Sequence, residues 1–219
     1  MNRRPVVLVH GITASTYWWG PTVAALEADH EVHVVRLPGF SYTEAADWLE
    51  DWLEQEGLEG AAVVGHSMGG TIALALAAKA PHLVNRLALI APAGIFATQA
   101  RSSYLLPLVI SVGRSPRRLA LLARDALRVG PRRLWRVGSD LLASDIVTAL
   151  RAVSMPTLIV WGAQDRLLPP TLGVVFSGEI ADSRLVVLDG CGHVPMLEAP
   201  DELNAALRGF LEEAPDERS

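Results

Sequence analysis

Six short runs of mainly apolar residues recur along the 219-residue chain. The first, Val6–Val9, is continuous rather than alternating with polar residues. Such a run is typical of a strand covered on both faces, as in a parallel sheet. The strands predicted in this way are Val6–Val9, Val32–Val35, Ala61–Val64, Leu87–Ile90, Leu158–Val160 and Leu185–Leu188.

Helical patterns separate these runs. Alternating strands and helices indicate βαβ units with right-handed crossovers. The sequence therefore predicts an α/β fold, with a mostly parallel sheet of about six strands between two layers of helices. The predicted helices are Tyr17–Asp29, Thr43–Gln55, Met68–Ala80, Pro170–Ile180 and Asp201–Glu213.

One long segment, residues 97–151, interrupts the alternation between the fourth and fifth strands. It contains no strand pattern, only helical stretches rich in Leu and Arg that are split by Pro107, residues 113–116 and Gly130-Pro131. We interpret it as a helical cap or lid inserted into a core formed by residues 1–96 and 152–219. The core and its insertion are expected to form a single structural domain.

Polar residues follow four of the predicted strands. In a parallel α/β sheet, ligands bind outside the carboxyl ends of the strands, so these positions are the best candidates for a functional site. They read His10-Gly11-Ile12-Thr13, Gly65-His66-Ser67, Gln164-Asp165-Arg166 and Gly190-Cys191-Gly192-His193.

The second of these loops contains a serine with glycines two residues before and two residues after it, Gly65-His66-Ser67-Met68-Gly69. This spacing predicts a sharp turn between a strand and a helix, on which the serine hydroxyl is exposed. A Gly/Ser loop without function would fit the five residues alone. Their position between a predicted strand and a predicted helix favours a nucleophile.

Ser67, Asp165 and His193 follow three different strands, in an order that suits a nucleophile, an orienting carboxylate and a base. A serine hydroxyl needs an imidazole to accept its proton, and the imidazole needs an acceptor on its other nitrogen. Asp189 and Asp145 are competing candidates for the acid. The loop after the fourth strand offers no carboxylate, which favours Asp165.

Acyl transfer to a serine also requires donors for the negative charge that develops on the carbonyl oxygen. The backbone N–H of Met68, at the start of the helix, is one candidate. The N–H of Ile12 is the other, because His10-Gly11 allows the loop after the first strand to approach the nucleophile. A plain tight turn would also explain His10-Gly11.

Amino-acid composition and charge limit the kinds of partner and of cross-link that the chain is expected to have. Half of the residues are hydrophobic, the formal net charge is −5 and the pI is about 5.7, so nothing indicates a nucleic-acid partner. The single cysteine, Cys191, excludes an intramolecular disulfide. The sequence shows neither a signal-peptide core nor a transmembrane run, and we expect a cytoplasmic protein.

Taken together, the separated motifs resemble the α/β-hydrolase superfamily, in its branch of small esterases, lipases and acyl hydrolases. The resemblance runs from about Val6 to Leu211, with residues 97–151 similar only in position and length class. It implies a hydrolase that acts through a covalent acyl-serine, without a metal or an organic cofactor. The motifs that carry it are His10-Gly11, Pro38-Gly39, residues 65–70, residues 161–165 and Gly192-His193.

Two features depart from the family pattern. Members commonly have two further strands before the His-Gly loop, which the five residues ahead of Val6 cannot supply. The strand that begins at Val32 should then lie at an exposed sheet edge, either short and ended by Arg36 or used for a homodimer. The loop at Pro38-Gly39 also lacks the family's usual aspartate and second glycine.

The predicted cap is strongly basic. Between Arg101 and Arg136 there are nine arginines and one acidic residue, Asp125. We consider two interpretations, a surface for an anionic partner such as an acyl carrier, coenzyme A or a membrane, and a solvated arginine face without function. Candidate residues for the substrate pocket are Trp18, Trp19, Leu105, Leu106 and Val194.

The leading functional hypothesis is hydrolysis of a carboxylic ester, thioester or lactone of a small to medium apolar acid. A cofactor-free lyase, an acyltransferase or a thioesterase acting on a carrier-bound acyl group would use the same three residues. A ligand receptor that retains the three residues is the alternative from outside enzymology.

Overall fold

The computed structural model describes residues 3–11, 16–38, 42–94, 124 and 146–213. Within these ranges the chain forms one sheet of six strands in the order β2-β1-β3-β4-β5-β6, and every neighbouring pair is parallel. The predicted α/β class is confirmed. The strands are β1 Arg4–Val9, β2 His30–Val35, β3 Ala61–His66, β4 Val84–Ile90, β5 Thr157–Gly162 and β6 Ser183–Leu188.

Helices cover both faces of this sheet. The predicted helix from Tyr17 to Asp29 is shorter than expected, because Thr16–Trp19 forms a 3-10 turn before the α-helix begins at Gly20. The other predicted helices lie within one residue of their expected bounds. The α-helices are α1 Gly20–Leu26, α2 Tyr42–Gln55, α3 Met68–Lys79, α4 Ile146–Ala152, α5 Thr171–Glu179, α6 Pro195–Glu198 and α7 Pro200–Glu212.

Alternate residues of the central strands enter two apolar clusters. In β1, Val7 and Val9 pack on the side of α2, α3, α4 and α5, whereas Val6 and Leu8 pack on the side of α1 and α7. Both sets are fully buried. Because the two faces are equally apolar, the strand reads as a continuous hydrophobic run, which is why its sequence does not alternate.

The two edge strands are less covered than their sequences predicted. In β2, Glu31 is exposed and residues Val32, His33 and Val34 are only partly buried. In β6, Val187 is exposed. The expectation that all six strands are covered on both faces is therefore wrong for β2 and β6, the two outermost strands, where the helices leave part of the faces open. The prediction that the Val32 strand lies at an edge is confirmed.

Most of the predicted cap lies outside the described residues, apart from Arg124 and the segment from Ile146 onward. Helix α4 crosses the predicted boundary between residues 151 and 152. Its buried side chains, Ile146 and Leu150, belong to the same apolar cluster as α3. We therefore place α4 with the core, because its apolar face packs there.

No helix in the described part of the chain is long and apolar enough to cross a membrane.

Candidate active site

Ser67 lies on the sharp turn between β3 and α3. Its φ of 55° is in the left-handed region, which is unusual for a residue with a side chain. The turn brings backbone segments very close together: a Cβ on Gly65 would lie 2.6 Å from the Cα of Gly70, and one on Gly69 would lie 2.6 Å from the carbonyl oxygen of His10. Glycine is required at both places because no side chain fits.

The loop after β4 holds this turn in place. The N–H of Ser67 donates to the carbonyl of Ile90 at 2.9 Å, and the carbonyl of Ser67 accepts from the N–H of Ala93 at 3.2 Å. The hydroxyl of Thr71 donates to the carbonyl of Ala93 at 2.6 Å. These bonds fix the backbone on both sides of the serine, so the left-handed conformation is maintained by its surroundings.

His193 connects Ser67 to Asp165. Its Nδ1 lies 2.7 Å from Oδ2 of Asp165, and its Nε2 lies 3.2 Å from Oγ of Ser67. A carboxylate only accepts hydrogen bonds, so Nδ1 carries the proton and Nε2 of the neutral ring is free to accept from the serine hydroxyl. His193 is 2% exposed and Asp165 is 5% exposed, which shields both groups from water.

The second oxygen of Asp165 orients the carboxylate. Oδ1 accepts hydrogen bonds from the backbone N–H groups of Leu167 and Leu168, each at 2.9 Å. Asp189, one of the two competing acids, is exposed on the turn that follows β6. Asp145, the other, lies outside the described residues. Of the two described carboxylates, Asp165 is the one in contact with His193.

The backbone around His193 is held by two side chains that sequence analysis did not single out. The carboxylate of Glu198 accepts from the N–H groups of Gly192 and Val194, both at 3.0 Å. Nε2 of His66 lies 2.8 Å from the carbonyl oxygen of His193, and since a carbonyl only accepts, Nε2–H is the donor. Glu198 follows Pro195 in a short helix, and an acidic residue in a first helical turn is a recognisable signal.

His66 stays neutral. Burial, together with the nearby His193 and His10, lowers the pKa of His66 from its ordinary value of 6.5 to about 3, against the opposing hydrogen bond to the His193 carbonyl. Its ring centroid lies 5.1 Å from that of His193. At neutral pH, His66 therefore does not compete with His193 for a proton.

The predicted oxyanion donors are only partly described. Met68 is the first residue of α3, where backbone N–H groups have no carbonyl one turn earlier to bind. Ile12 lies outside the described residues, but its neighbour Gly11 approaches Ser67 closely: a Cβ on Gly11 would lie 3.2 Å from Cβ of Ser67. Gly11 also accepts a hydrogen bond from Nδ1 of His10 at 2.8 Å.

The candidate pocket residues have different surroundings. Trp18, Trp19 and Val194 are buried in the apolar cluster that also contains α1 and α7. Tyr17, next to them, is 38% exposed, and the guanidinium of Arg124 lies 5.2 Å from the centre of its ring. Leu105 and Leu106 lie outside the described residues. Tyr17 is thus the most accessible of these three aromatic side chains.

Cys191 is a packed core residue. Its side chain is fully buried, and burial, together with the carboxylates of Glu198 and Asp165, raises the pKa of the thiol to about 12. A thiol of that pKa is not ionised at neutral pH and is a poor nucleophile. Among the described residues, no group of three or more His, Cys, Asp or Glu side chains is arranged to hold a metal ion.

Solved structures share this architecture. The enol-lactonase from Burkholderia xenovorans superposes with a TM-score of 0.83 at 20% identity, over 97% of this chain and 93% of that one. At this level of identity the likeness concerns the fold alone.

Curated relatives match along nearly the whole length. The pimeloyl-[acyl-carrier protein] methyl ester esterase of Aromatoleum aromaticum is 30% identical, over 92% of this chain and 96% of its own. The enzyme of the same name from Vibrio parahaemolyticus is 29% identical, over 95% of this chain and 94% of its own. Both relatives are named as esterases, which supports hydrolase activity in this chain.

The model of the alpha/beta hydrolase family matches residues 6–206, which include all six strands from the apolar part of β1 onward. With the turn at Ser67, the order of the three polar residues and the parallel sheet already described, this match shows that the chain belongs to the alpha/beta hydrolase family.

Proposed function

We propose that the protein is a serine hydrolase that cleaves carboxylic esters through an acyl-serine intermediate on Ser67. One observation carries this proposal: the hydrogen-bonded chain from Asp165 through His193 to Ser67, with distances of 2.7 and 3.2 Å. The serine is the nucleophile, the histidine the base and the aspartate the group that fixes the tautomer of the ring.

In the first half of the reaction, His193 Nε2 takes the hydroxyl proton as Ser67 Oγ bonds to the acyl carbon. The carbonyl oxygen becomes an oxyanion, which we assign to the backbone N–H groups of Met68 and Ile12. When the tetrahedral intermediate collapses, the bond to the alcohol oxygen breaks and His193 returns its proton to that oxygen. The alcohol leaves, and the acyl group stays on Ser67.

In the second half, a water molecule replaces the alcohol. His193 removes a proton from the water as the water oxygen bonds to the acyl carbon, and the same donors hold the second oxyanion. Collapse breaks the bond to Ser67 Oγ, which regains its proton from His193. The product is the free carboxylic acid, and the enzyme returns to its starting state.

Comparing the chain with a Ser67→Ala variant on p-nitrophenyl esters of short and medium acids tests this function. We expect the variant to lose at least about 10³-fold in kcat, because the nucleophile is absent. Equal rates for the two proteins, after the spontaneous hydrolysis is subtracted, would contradict the serine mechanism.

A second candidate function is hydrolysis of an ester or thioester whose acyl group is delivered on an acidic carrier. Two features favour it: the relatives of Aromatoleum and Vibrio are named for an acyl-carrier-protein substrate, and residues 101–136 contain nine arginines and one acid. In this proposal, the arginines between Arg101 and Arg136 attract the carrier, and apolar residues of the same segment, including Leu105 and Leu106, cover the acyl chain.

The dependence of kcat/KM on salt concentration distinguishes the two candidate functions. Attraction between a basic cap and an acidic carrier weakens as ionic strength rises, because salt screens exposed charges over about 10 Å at 0.1 M. We expect kcat/KM for an acyl-carrier substrate to fall with added salt, while that for a neutral p-nitrophenyl ester stays level. The same salt dependence for both substrates would contradict carrier recognition.

A further inference from the structure

The loop that carries His193 is held by hydrogen bonds from its backbone to two side chains. Three backbone polar groups at consecutive residues each bind a side chain from elsewhere. The carboxylate of Glu198 accepts hydrogen bonds from the N–H groups of Gly192 and Val194, and Nε2–H of His66 donates to the carbonyl of His193. The peptide group that follows His193 is thereby held through both its carbonyl and its N–H, and the peptide group before Gly192 is held through its N–H.

Each member of this set is suited to its partner. A Cβ on Gly192 would lie 2.9 Å from one carboxylate oxygen of Glu198, so the glycine lets the carboxylate reach both N–H groups. His66 keeps its proton on Nε2, and its buried Nδ1 has no hydrogen-bond partner among the described residues. A buried nitrogen without a hydrogen bond destabilises the folded state. An apolar residue would therefore stabilise the core more than His66 does, unless the Nε2–H donor is needed.

The set also connects the loop to the nucleophile. His66 precedes Ser67 directly in the chain, so the bond from His66 to the His193 carbonyl ties the base to the turn that carries the serine. On the other side of the site, the N–H of Gln164, the residue before Asp165, donates to the carbonyl of Cys191 at 2.8 Å. The histidine loop is thus bound to the immediate neighbours of both of its reaction partners.

We propose that Glu198 and His66 are positioning residues that hold the backbone of His193, so that its ring reaches Ser67 and Asp165 together. This inference rests on the proposed serine mechanism and adds two residues to it. Neither touches the substrate or the reacting atoms. Glu198 fixes the loop by binding two of the loop's N–H groups, and His66 fixes it by binding the carbonyl of His193.

The alternative is that the two residues only stabilise the fold, with Glu198 acting as an ordinary cap of α6. The two roles differ in what they change. A structural residue alters the fraction of folded protein, whereas a positioning residue alters the rate of each folded molecule. A displacement of the reacting groups by about 1 Å can cost roughly 100-fold in rate.

Four variants separate these roles. Glu198→Gln keeps the shape but can accept only one of the two N–H groups, and Glu202→Gln changes an exposed carboxylate on α7 as the matched control. His66→Leu removes the donor, and His66→Gln restores an N–H near the position of Nε2. For each variant, kcat, KM and the midpoint of thermal unfolding are measured with a p-nitrophenyl ester.

We expect Glu198→Gln and His66→Leu to lower kcat by about 10- to 100-fold, with KM within about twofold of the parent and the unfolded fraction negligible at the assay temperature. His66→Gln should recover most of the loss, and Glu202→Gln should match the parent. Unchanged kcat in the first two variants, or the same loss in both His66 variants, would overturn the inference.

The same variants in a His193→Ala background give an independent test. If Glu198 acts through His193, then Glu198→Gln should change the residual rate by less than about twofold once the imidazole is gone. An equal loss in both backgrounds would show a role unrelated to His193. Ser67→Ala is the control for the function itself, and full activity in that variant would contradict the serine mechanism. If Ser67→Ala is inactive while Glu198→Gln and His66→Leu keep full activity, only the positioning inference is contradicted.

Discussion

Asp165 illustrates how far a single residue's surroundings decide its role. Its carboxylate binds His193 through one oxygen and two backbone N–H groups through the other. Asp189 is closer to His193 in the chain but is exposed. Both acids follow a strand, so neither sequence distance nor position after a strand identifies the acid; the contact between Asp165 and His193 does.

We predict that Asp165→Asn lowers kcat by about 10³-fold or more, because an amide at that position favours the wrong tautomer of His193. Asp189→Asn should change kcat by less than about twofold, since its side chain faces solvent. Steady-state rates of the two variants on one ester provide the comparison. A large loss in Asp189→Asn, or a small one in Asp165→Asn, would assign the acid differently.

The lowered pKa of His66 has a consequence for stability. Between about pH 6.5 and pH 3 the histidine is protonated in the unfolded chain and neutral in the folded one. The unfolded state then binds more protons, so the free energy of unfolding decreases as the pH falls through this window and does not change above it on account of His66. Besides burial, the nearby His193 and His10 contribute to the lowered pKa of His66.

We predict that His66→Gln, which cannot titrate, removes part of this dependence. Its free energy of unfolding should fall less steeply than that of the parent between pH 6 and pH 4, by up to about 1.4 kcal/mol per pH unit. Denaturant unfolding at several pH values measures both slopes. Parallel slopes would show that His66 titrates alike in both states.

At the scale of elements, the contact between β1 and the start of α3 brings the loop after β1 close to Ser67. A Cβ on Gly69 would meet the carbonyl oxygens of Val9 and His10, both backbone atoms at the end of β1. The helix can approach the strand closely only because residue 69 has no side chain. This contact places Gly11 beside Ser67.

We predict that Gly69→Ala destabilises the protein by about 1–3 kcal/mol or more and lowers kcat, because α3 has to move away from β1. Gly209, in α7, is the matched control, since a Cβ there would meet nothing within 4 Å. Gly209→Ala should raise stability by roughly 0.5–1 kcal/mol and leave kcat unchanged. Equal effects of the two substitutions would contradict the packing argument.

Sequence reasoning succeeded where local pattern and tertiary structure agree. The central strands are buried on both faces, so their continuous apolar runs identify them. The loops after β3, β5 and β6 carry Ser67, Asp165 and His193, which lie within hydrogen-bond distance of one another, while their catalytic roles stay predictions. His66 escaped because it binds a backbone carbonyl 127 residues away, whereas Glu198 carries a local signal, an acidic residue in a first helical turn, that was not used. A side chain that binds a distant backbone leaves no periodic pattern in the sequence.

At the scale of the whole molecule, three chemically different side chains follow three separate strands and meet at the carboxyl end of the sheet. Each side chain is supported by a neighbour: Ser67 by the loop after β4, Asp165 by two N–H groups of its own loop, and His193 by Glu198 and His66. The rigid parallel sheet sets the spacing, and the loops supply the chemistry.

The unpaired edge at β2 remains a proposed surface for a homodimer. The strand lies at the end of the sheet, and part of it is exposed or half-buried. Native edge strands are commonly protected by charge, and Glu31 is an exposed charge on this one. We expect that any dimer formed through β2 is weakened by a second charge, Val32→Lys, which sedimentation analysis at several protein concentrations would measure.

The central claim, that Ser67 is an activated nucleophile, is tested most directly by covalent modification with diethyl p-nitrophenyl phosphate, followed by mass spectrometry of the intact protein and its peptides. We predict one diethylphosphoryl group per chain, located on Ser67, with loss of esterase activity in step, no modification in Ser67→Ala and much slower modification in His193→Ala. A protein that hydrolyses esters while Ser67 stays unmodified, or one inactivated by modification of a different residue, would contradict the account.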